Sequence, residues 1–180
     1  MSKLYLISDL HLGHENIAKK RGFNSSDEHD EYIITQWNKI VKKRDIVCIP
    51  GDITMEKSEH YHKLDRLNGL KKVILGNHDK PSHVLALLKH VNSVCGILKY
   101  KGFWISHAPI HPTELRGLKN IHGHVHDGSS RKLKRDKRYI NVCAEVLNYK
   151  PILFDDIKNQ HDEKRNNGIF IRHITKFRKT

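Results

Sequence analysis

The stretch VILGNHD, Val73 to Asp79, closes an apolar run of strand character with a glycine, an amide, an imidazole and a carboxylate in succession. Gly, Asn and Asp suit tight or left-handed turns for backbone reasons. The histidine is what a turn does not need. Working outward, other strand-like runs end in the same kind of chemistry. KLYLIS (residues 3–8) leads into Asp9-Leu10-His11, and DIVCI (45–49) into Pro50-Gly51-Asp52. FWIS (103–106) leads into His107, KNIH (119–122) into Gly123-His124-Val125-His126, and YINVC (139–143) follows as a further strand. Tyr100-Lys101-Gly102 reads as a hairpin turn into the FWIS strand. Between the runs, Ile33, Trp37, Ile40 and Val41 recur at helical spacing behind Ser25-Ser26-Asp27, as do Val84, Leu87, Leu88 and Val91 behind Pro81-Ser82. Both stripes are expected in the core. Strands alternating with helices predict an α/β domain, in which the carboxyl ends of the strands line the binding crevice.

Five strand ends thus deliver donors to one place. In an extended segment residues i and i+2 project to the same side, so Asp9 with His11, and His124 with His126, can each aim two ligand atoms at a common point. Carboxylate, imidazole and amide oxygen suit Mn²⁺, Fe, Zn²⁺, Co²⁺ or Ni²⁺. Asp9, His11, Asp52, Asn77, His107, His124 and His126 are more ligands than one four-coordinate zinc can use, and they suit two ions sharing a carboxylate. Two dications set against two aspartates leave net positive charge, which favours a phosphoryl oxygen.

The 180 residues fit a single domain, and a hydrophobic content of 37% is that of a very polar globular protein. No apolar stretch approaches the ~20 residues of a spanning helix, and the N-terminus lacks the order of a signal peptide, so a cytoplasmic protein without a membrane partner is expected. Cys48, Cys95 and Cys143 are widely spaced and read as reduced packing thiols. A net charge of +13 favours anionic partners such as nucleotides or nucleic acid, or simply keeps the surface wet. A non-catalytic nucleic-acid-binding module would account for the basic run at 131–138 but not for seven donors at strand ends. A metal-storage protein would cluster its histidines in tracts.

The ordered blocks Asp9-x-His11, Gly51-Asp52, Gly76-Asn77-His78-Asp79, His107 and Gly123-His124-x-His126 closely resemble the signature of the calcineurin-like metallophosphoesterases, in particular small members of bacteria and phages. The resemblance covers residues 3 to about 157. It implies a four-layer αββα sandwich of two mixed sheets flanked by helices, with two divalent ions, Mn²⁺ foremost. It assigns Asp9, His11 and His126 to one ion, Asn77, His107 and His124 to the other, and Asp52 to both. It further implies hydrolysis of a phosphate ester by a metal-bound hydroxide, with His78 facing the substrate and Asp79 holding His78. The expected substrates are phosphodiesters, nucleotide-derived, with phosphomonoesterase or protein phosphatase activity as the alternative. His14 resembles a residue of small members that can reach a phosphoryl oxygen.

No block between the motifs is long enough for a cap domain, so an open crevice is expected, bordered by a basic loop whose Arg131 and Lys132 contact substrate. His122 is expected in a supporting role, and His29, His60, His62, His83, His90, His111, His161 and His173 on solvated surfaces. Residues 1–158 are read as the catalytic domain and 159–180 as a basic extension, with a helix, a turn and a final edge strand at 169–171 packed on that domain as the favoured reading and an interaction tail as the alternative.

Overall fold

The computed structural model describes residues 2–128 and 131–167. In chain order it comprises β1 (Leu4–Leu6), α1 (Glu15–Lys20), α2 (Ser26–Ile40), β2 (Ile46–Pro50), a 3₁₀ helix (Ser58–Arg66) and β3 (Leu70–Ile74). A second 3₁₀ turn (Pro81–His83) runs into α3 (Val84–Leu87), then β4 (Ser93–Cys95), β5 (Leu98–Tyr100) and β6 (Phe103–Ser106). A third 3₁₀ turn (Pro112–Leu115), β7 (Lys119–His122), α4 (Arg131–Arg135), β8 (Tyr139–Asn141), β9 (Ile152–Leu153) and α5 (Phe154–Asn167) complete it.

The strands form two mixed sheets, ordered β4-β3-β2-β1-β9 and β5-β6-β7-β8. Within the first, β1 to β4 are parallel and β9 is antiparallel to β1. Within the second, β5 and β6 form the expected hairpin, and β6, β7 and β8 are parallel. Period-2 alternation divides the core in two. Tyr5, Val47, Ile49 and Val73 face the helical side and pack with Ile33, Ile34 and Trp37 of α2, while Leu6, Cys48 and Ile74 face the second sheet and meet Phe103, Ile105, Ile121 and Val142. Each large apolar side chain so buried contributes about 1.5–3 kcal/mol. Strands covered on both faces carry continuous apolar runs, which is why VCI and VIL read so clearly. Helices flank the pair: α2 starts with Ser25 Oγ accepting from the Glu28 amide at 3.1 Å, while Phe154 and Ile157 of α5 enter the inter-sheet core.

At the site end the sheets are stitched together. Ser8, just past β1, donates its amide to the Val142 carbonyl at 2.9 Å and accepts from the Ala144 amide at 2.9 Å, so the tips of β1 and β8 meet at an isolated parallel bridge between Ser8 and Cys143.

The second helical stripe is shorter than its spacing predicts. Leu87 is buried but Leu88 is exposed, because Asn92 pairs with Lys71 through both its amide and its side chain and draws the chain into β4 soon after α3. Strands β4 and β9 carry no alternation long enough to read. α5 passes residue 158 without a break, so the expected domain boundary falls inside a helix; the expected strand at 169–171 lies outside the described residues. No helix among the described residues is long and apolar enough to cross a membrane.

Candidate metal centre

All seven sequence-identified donors come together where β1, β2, β3, β6 and β7 end. They fall into two groups that meet at Asp52. On one side, His11 Nε2 lies 3.8 Å from Asp52 Oδ2 and 4.0 Å from Asp9 Oδ1, and His126 Nε2 lies 3.9 Å from Asp9 Oδ1. On the other, His107 Nε2 lies 3.4 Å from Asp52 Oδ2 and 2.8 Å from Asn77 Oδ1, and His124 Nδ1 is 2.9 Å from the same amide oxygen and 3.2 Å from His107 Nε2.

The backbone that achieves this is not the extended one that an i, i+2 spacing suggests. Asp9, His11, Asp52, His124 and His126 have φ of 57°, 49°, 54°, 70° and 49°, the left-handed region, where each non-glycine residue costs about 1–2 kcal/mol. Strain gathered on five of seven donors marks a site that the surrounding fold holds in place. Two glycines make the close approach possible: a Cβ on Gly76 would strike the Asp52 carboxylate, and one on Gly123 the Asp9 carboxylate and Ser8 Oγ. The amides of His78 and His124 complete the hold, donating to Asp52 Oδ1 at 3.0 Å and to Asp9 Oδ2 at 3.0 Å.

The donor chemistry fits divalent cations. His107 Nδ1 faces the Pro50 carbonyl at 2.9 Å and carries its proton there, which leaves Nε2, 2.8 Å from Asn77 Oδ1, as the nitrogen that would bind a cation once its own proton is displaced. His11 is buried with neither ring nitrogen hydrogen-bonded among the described residues, and burial pushes its imidazole down to about 3, which keeps the ring neutral. Burial also opposes charge on His107, but the hydrogen bond and charge of Asp52 outweigh it and raise that imidazole to about 9. Burial would raise Asp52; its contacts with His107 and the His78 amide hold it below the usual carboxylate range. Convergent lone pairs beside an ionised carboxylate are what a cation neutralises.

His78 is partly exposed, its ring 5.9 Å from that of His11 and its Nδ1, without a hydrogen bond among the described residues, 3.8 Å from Glu56 Oε1. His14 is half-buried, its ring 6.1 Å from that of His11. Asp79 does not hold His78, contrary to expectation. Its carboxylate accepts from the amides of Asp52 (2.8 Å), Ile53 (3.1 Å) and Gly76 (2.9 Å), tying the second and third strand-end loops together. Burial raises its pKa to about 6, against the lowering effect of the three amides. The side chains of Arg131 and Lys132 lie outside the described residues, although α4 begins five positions after His126 and Lys134 Nζ donates to the Asp127 carbonyl at 2.5 Å.

Cys143, Glu145 and Arg21 at the centre were not legible from the motifs. Cys143 is no mere packing thiol: its Sγ lies 3.2 Å from Asp9 Oδ2, and Asp9, His126 and Cys143 form a candidate ligand group of their own. Glu145 accepts from His126 Nδ1 at 2.5 Å and from Arg21 at 2.5 Å. His122 has the expected supporting place, buried with Nδ1 at 2.9 Å from the Gly123 carbonyl. Cys95 is only partly buried.

His29, expected in solvent, is fully buried. Its Nε2 accepts from Arg21 at 3.0 Å, so Nδ1 carries the proton and donates to Asp30 Oδ1 at 2.9 Å. Asp30 also accepts from the Gly13 amide at 2.8 Å and Lys63 Nζ at 2.6 Å. Burial would raise its pKa, yet His29, Lys63 and Gly13 together hold it below the usual value. A carboxyl depressed on folding adds stability above its unfolded pKa of ~3.9 and loses it as pH falls through the lower folded value. Asp30→Asn should therefore cost about 1–3 kcal/mol at pH 7, with the gap to wild type closing below about pH 4 in denaturant titrations. A gap that is the same at pH 7 and pH 3 contradicts this account.

No known family profile matches the chain. The uncharacterized protein MJ1445 of Methanocaldococcus jannaschii is 34% identical over 165 residues, covering 86% of this chain and 89% of that protein. The chain belongs to the MJ1445 family. The gene 66 protein of Mycobacterium phage L5 is 28% identical over 203 residues, covering 91% of this chain and 98% of its own. Among solved structures, the protein of unknown function AQ665 from Aquifex aeolicus superposes with a TM-score of 0.67 at 27% identity, covering 89% of this chain and all of that one. The two sheets and flanking helices are therefore shared with a solved protein of matching length.

Proposed function

We propose that this chain is a calcineurin-like metallophosphoesterase that hydrolyses phosphate esters with two divalent cations and prefers nucleotide-derived phosphodiesters. The observation that carries this reading is the convergence of seven donors into two groups joined at Asp52. Asp9, His11, Asp52 and His126 would hold one ion; Asp52, Asn77, His107 and His124 the other. Bound there, two dications supply Lewis acidity toward phosphoryl oxygen and make water a nucleophile at neutral pH. The chain's own residues do the rest. Asp79 fixes the Asp52 and Asn77 loops in register, and the ring of His78, 5.9 Å from that of His11 and with Nδ1 3.8 Å from Glu56 Oε1, would donate to a phosphoryl or leaving oxygen. His14, on the same side, is a second donor toward phosphoryl oxygen.

The preference for diesters rests on the open crevice and on charge. No additional domain interrupts residues 2–128, so substituents on both sides of phosphorus have room. The +13 chain carries Arg131, Lys132 and Lys134 just beyond His126, where further phosphates of a strand would run. A Mn²⁺-supplemented panel of a chromogenic monoester, the matching diester, cyclic nucleotides and single-stranded oligonucleotides tests this. The diester should exceed the monoester in kcat/KM, and oligonucleotide turnover should fall with salt by roughly 0.7 log units per log unit for each phosphate neutralised. A monoester that outperforms the diester overturns the preference, and no turnover across the panel overturns the phosphoesterase reading.

A further inference from the structure

The donors around Asp9, His11 and His126 are held from behind by a buried chain of polar side chains that the hydrolytic reading does not use. Arg21, at the end of α1, is 5% exposed in its side chain and spreads its guanidinium over four acceptors. These are the Asp9 carbonyl at 2.8 Å, the Leu10 carbonyl at 3.3 Å, Glu145 Oε2 at 2.5 Å and His29 Nε2 at 3.0 Å. Glu145 turns its other oxygen to His126 Nδ1 at 2.5 Å. That contact fixes the proton on Nδ1, which leaves the Nε2 lone pair facing Asp9. Behind Arg21, His29 and Asp30 continue the chain to the Gly13 amide, two residues past His11. One connected set of hydrogen bonds therefore sets the backbone of Asp9, the loop after His11 and the ring of His126. The other donor group is held differently, by the Pro50 carbonyl behind His107.

We infer that Arg21 and Glu145 are positioning residues for one of the two cations alone, the one between Asp9, His11 and His126. The inference rests on the reading that this corner binds a cation. It makes the two sites separable: loss of Glu145 leaves the Asn77, His107 and His124 side intact and frees the His126 ring to rotate and change tautomer. Partners of this kind are worth about 10–100-fold in metal affinity.

The test is calorimetric titration of the full-length, metal-stripped chain with Mn²⁺, for wild type, Glu145→Ala and Glu145→Gln, with thermal unfolding of each protein followed in parallel. Wild type should take up two ions. Glu145→Ala should take up one at the wild-type affinity and the second about 10–100-fold more weakly. Glu145→Gln, which keeps an acceptor for Nδ1–H, should fall between them, and it decides the matter if the alanine variant does not fold. Two wild-type affinities in both variants overturn the inference while leaving the two-cation reading standing. Equal weakening of both ions, with lowered unfolding temperature, also overturns it, since that is a general structural role. A wild-type chain that binds no Mn²⁺ removes the two-cation reading itself.

Discussion

His78→Ala is expected to lower kcat by a factor on the order of 10²–10⁴ without changing the cation content of the protein. The separation follows from the geometry. The contact between His78 and the donor set runs through its backbone, whose amide donates to Asp52 Oδ1 at 3.0 Å, and alanine keeps that amide. What alanine removes is a ring that stands beside His11, 5.9 Å between ring centres, with Nδ1 3.8 Å from Glu56 Oε1 and no hydrogen bond to any of the seven donors. A group that touches substrate only as charge develops affects kcat and kcat/KM alike. Asp79→Asn belongs to a different class, since its carboxylate serves three backbone amides and not the imidazole. That variant should lose cations along with activity. A His78→Ala enzyme with an unchanged rate would remove this residue from the mechanism.

The second large effect is expected at Asp52. Asp52→Asn withdraws a charged oxygen from both donor groups at once, 3.8 Å from His11 and 3.4 Å from His107. If each ion loses at least the ~10–100-fold that an outer-sphere partner is worth, the combined effect on occupancy of the pair is roughly 10²–10⁴-fold. Asn77→Ala, which removes the oxygen that meets His107 at 2.8 Å and His124 at 2.9 Å, should weaken one ion and spare the other. Inductively coupled plasma mass spectrometry on gel-filtered protein separates these outcomes. An Asp52→Asn chain that retains one ion at wild-type strength would contradict a shared carboxylate.

The convergence of these seven side chains was legible because each follows a strand, and strands buried on both faces advertise themselves as apolar runs. VILGNHD told both where the chain stops being core and what it offers there. The conformation of the donors was not legible. Asp9 and His11 both turn left-handed, their amides donating to the Gly51 and Asp52 carbonyls at 3.0 Å, contacts between separate loops that local spacing does not carry. Asp79 is a related case: three residues past Gly76, it sits where a turn folds its carboxylate back onto backbone amides, so its neighbour in sequence is not its partner. Arg21, Glu145 and Cys143 lie far from any motif and reach the site only through tertiary packing. A signal for Glu145 existed in retrospect, an acid two residues past the β8 bridge at Cys143, but nothing local distinguished it from a surface carboxylate. His29 was misplaced because a helix full of charges reads as solvated, whereas its buried face carries the polar chain to Arg21.

The most direct test of the central claim is a crystal of the Mn²⁺-loaded chain measured at the manganese absorption edge, alongside turnover of the same preparation on a phosphodiester. The account predicts two anomalous peaks about 3.5–4 Å apart, one on each side of Asp52, in protein that hydrolyses the ester. A single peak in active protein, or two peaks that do not share Asp52, would contradict it.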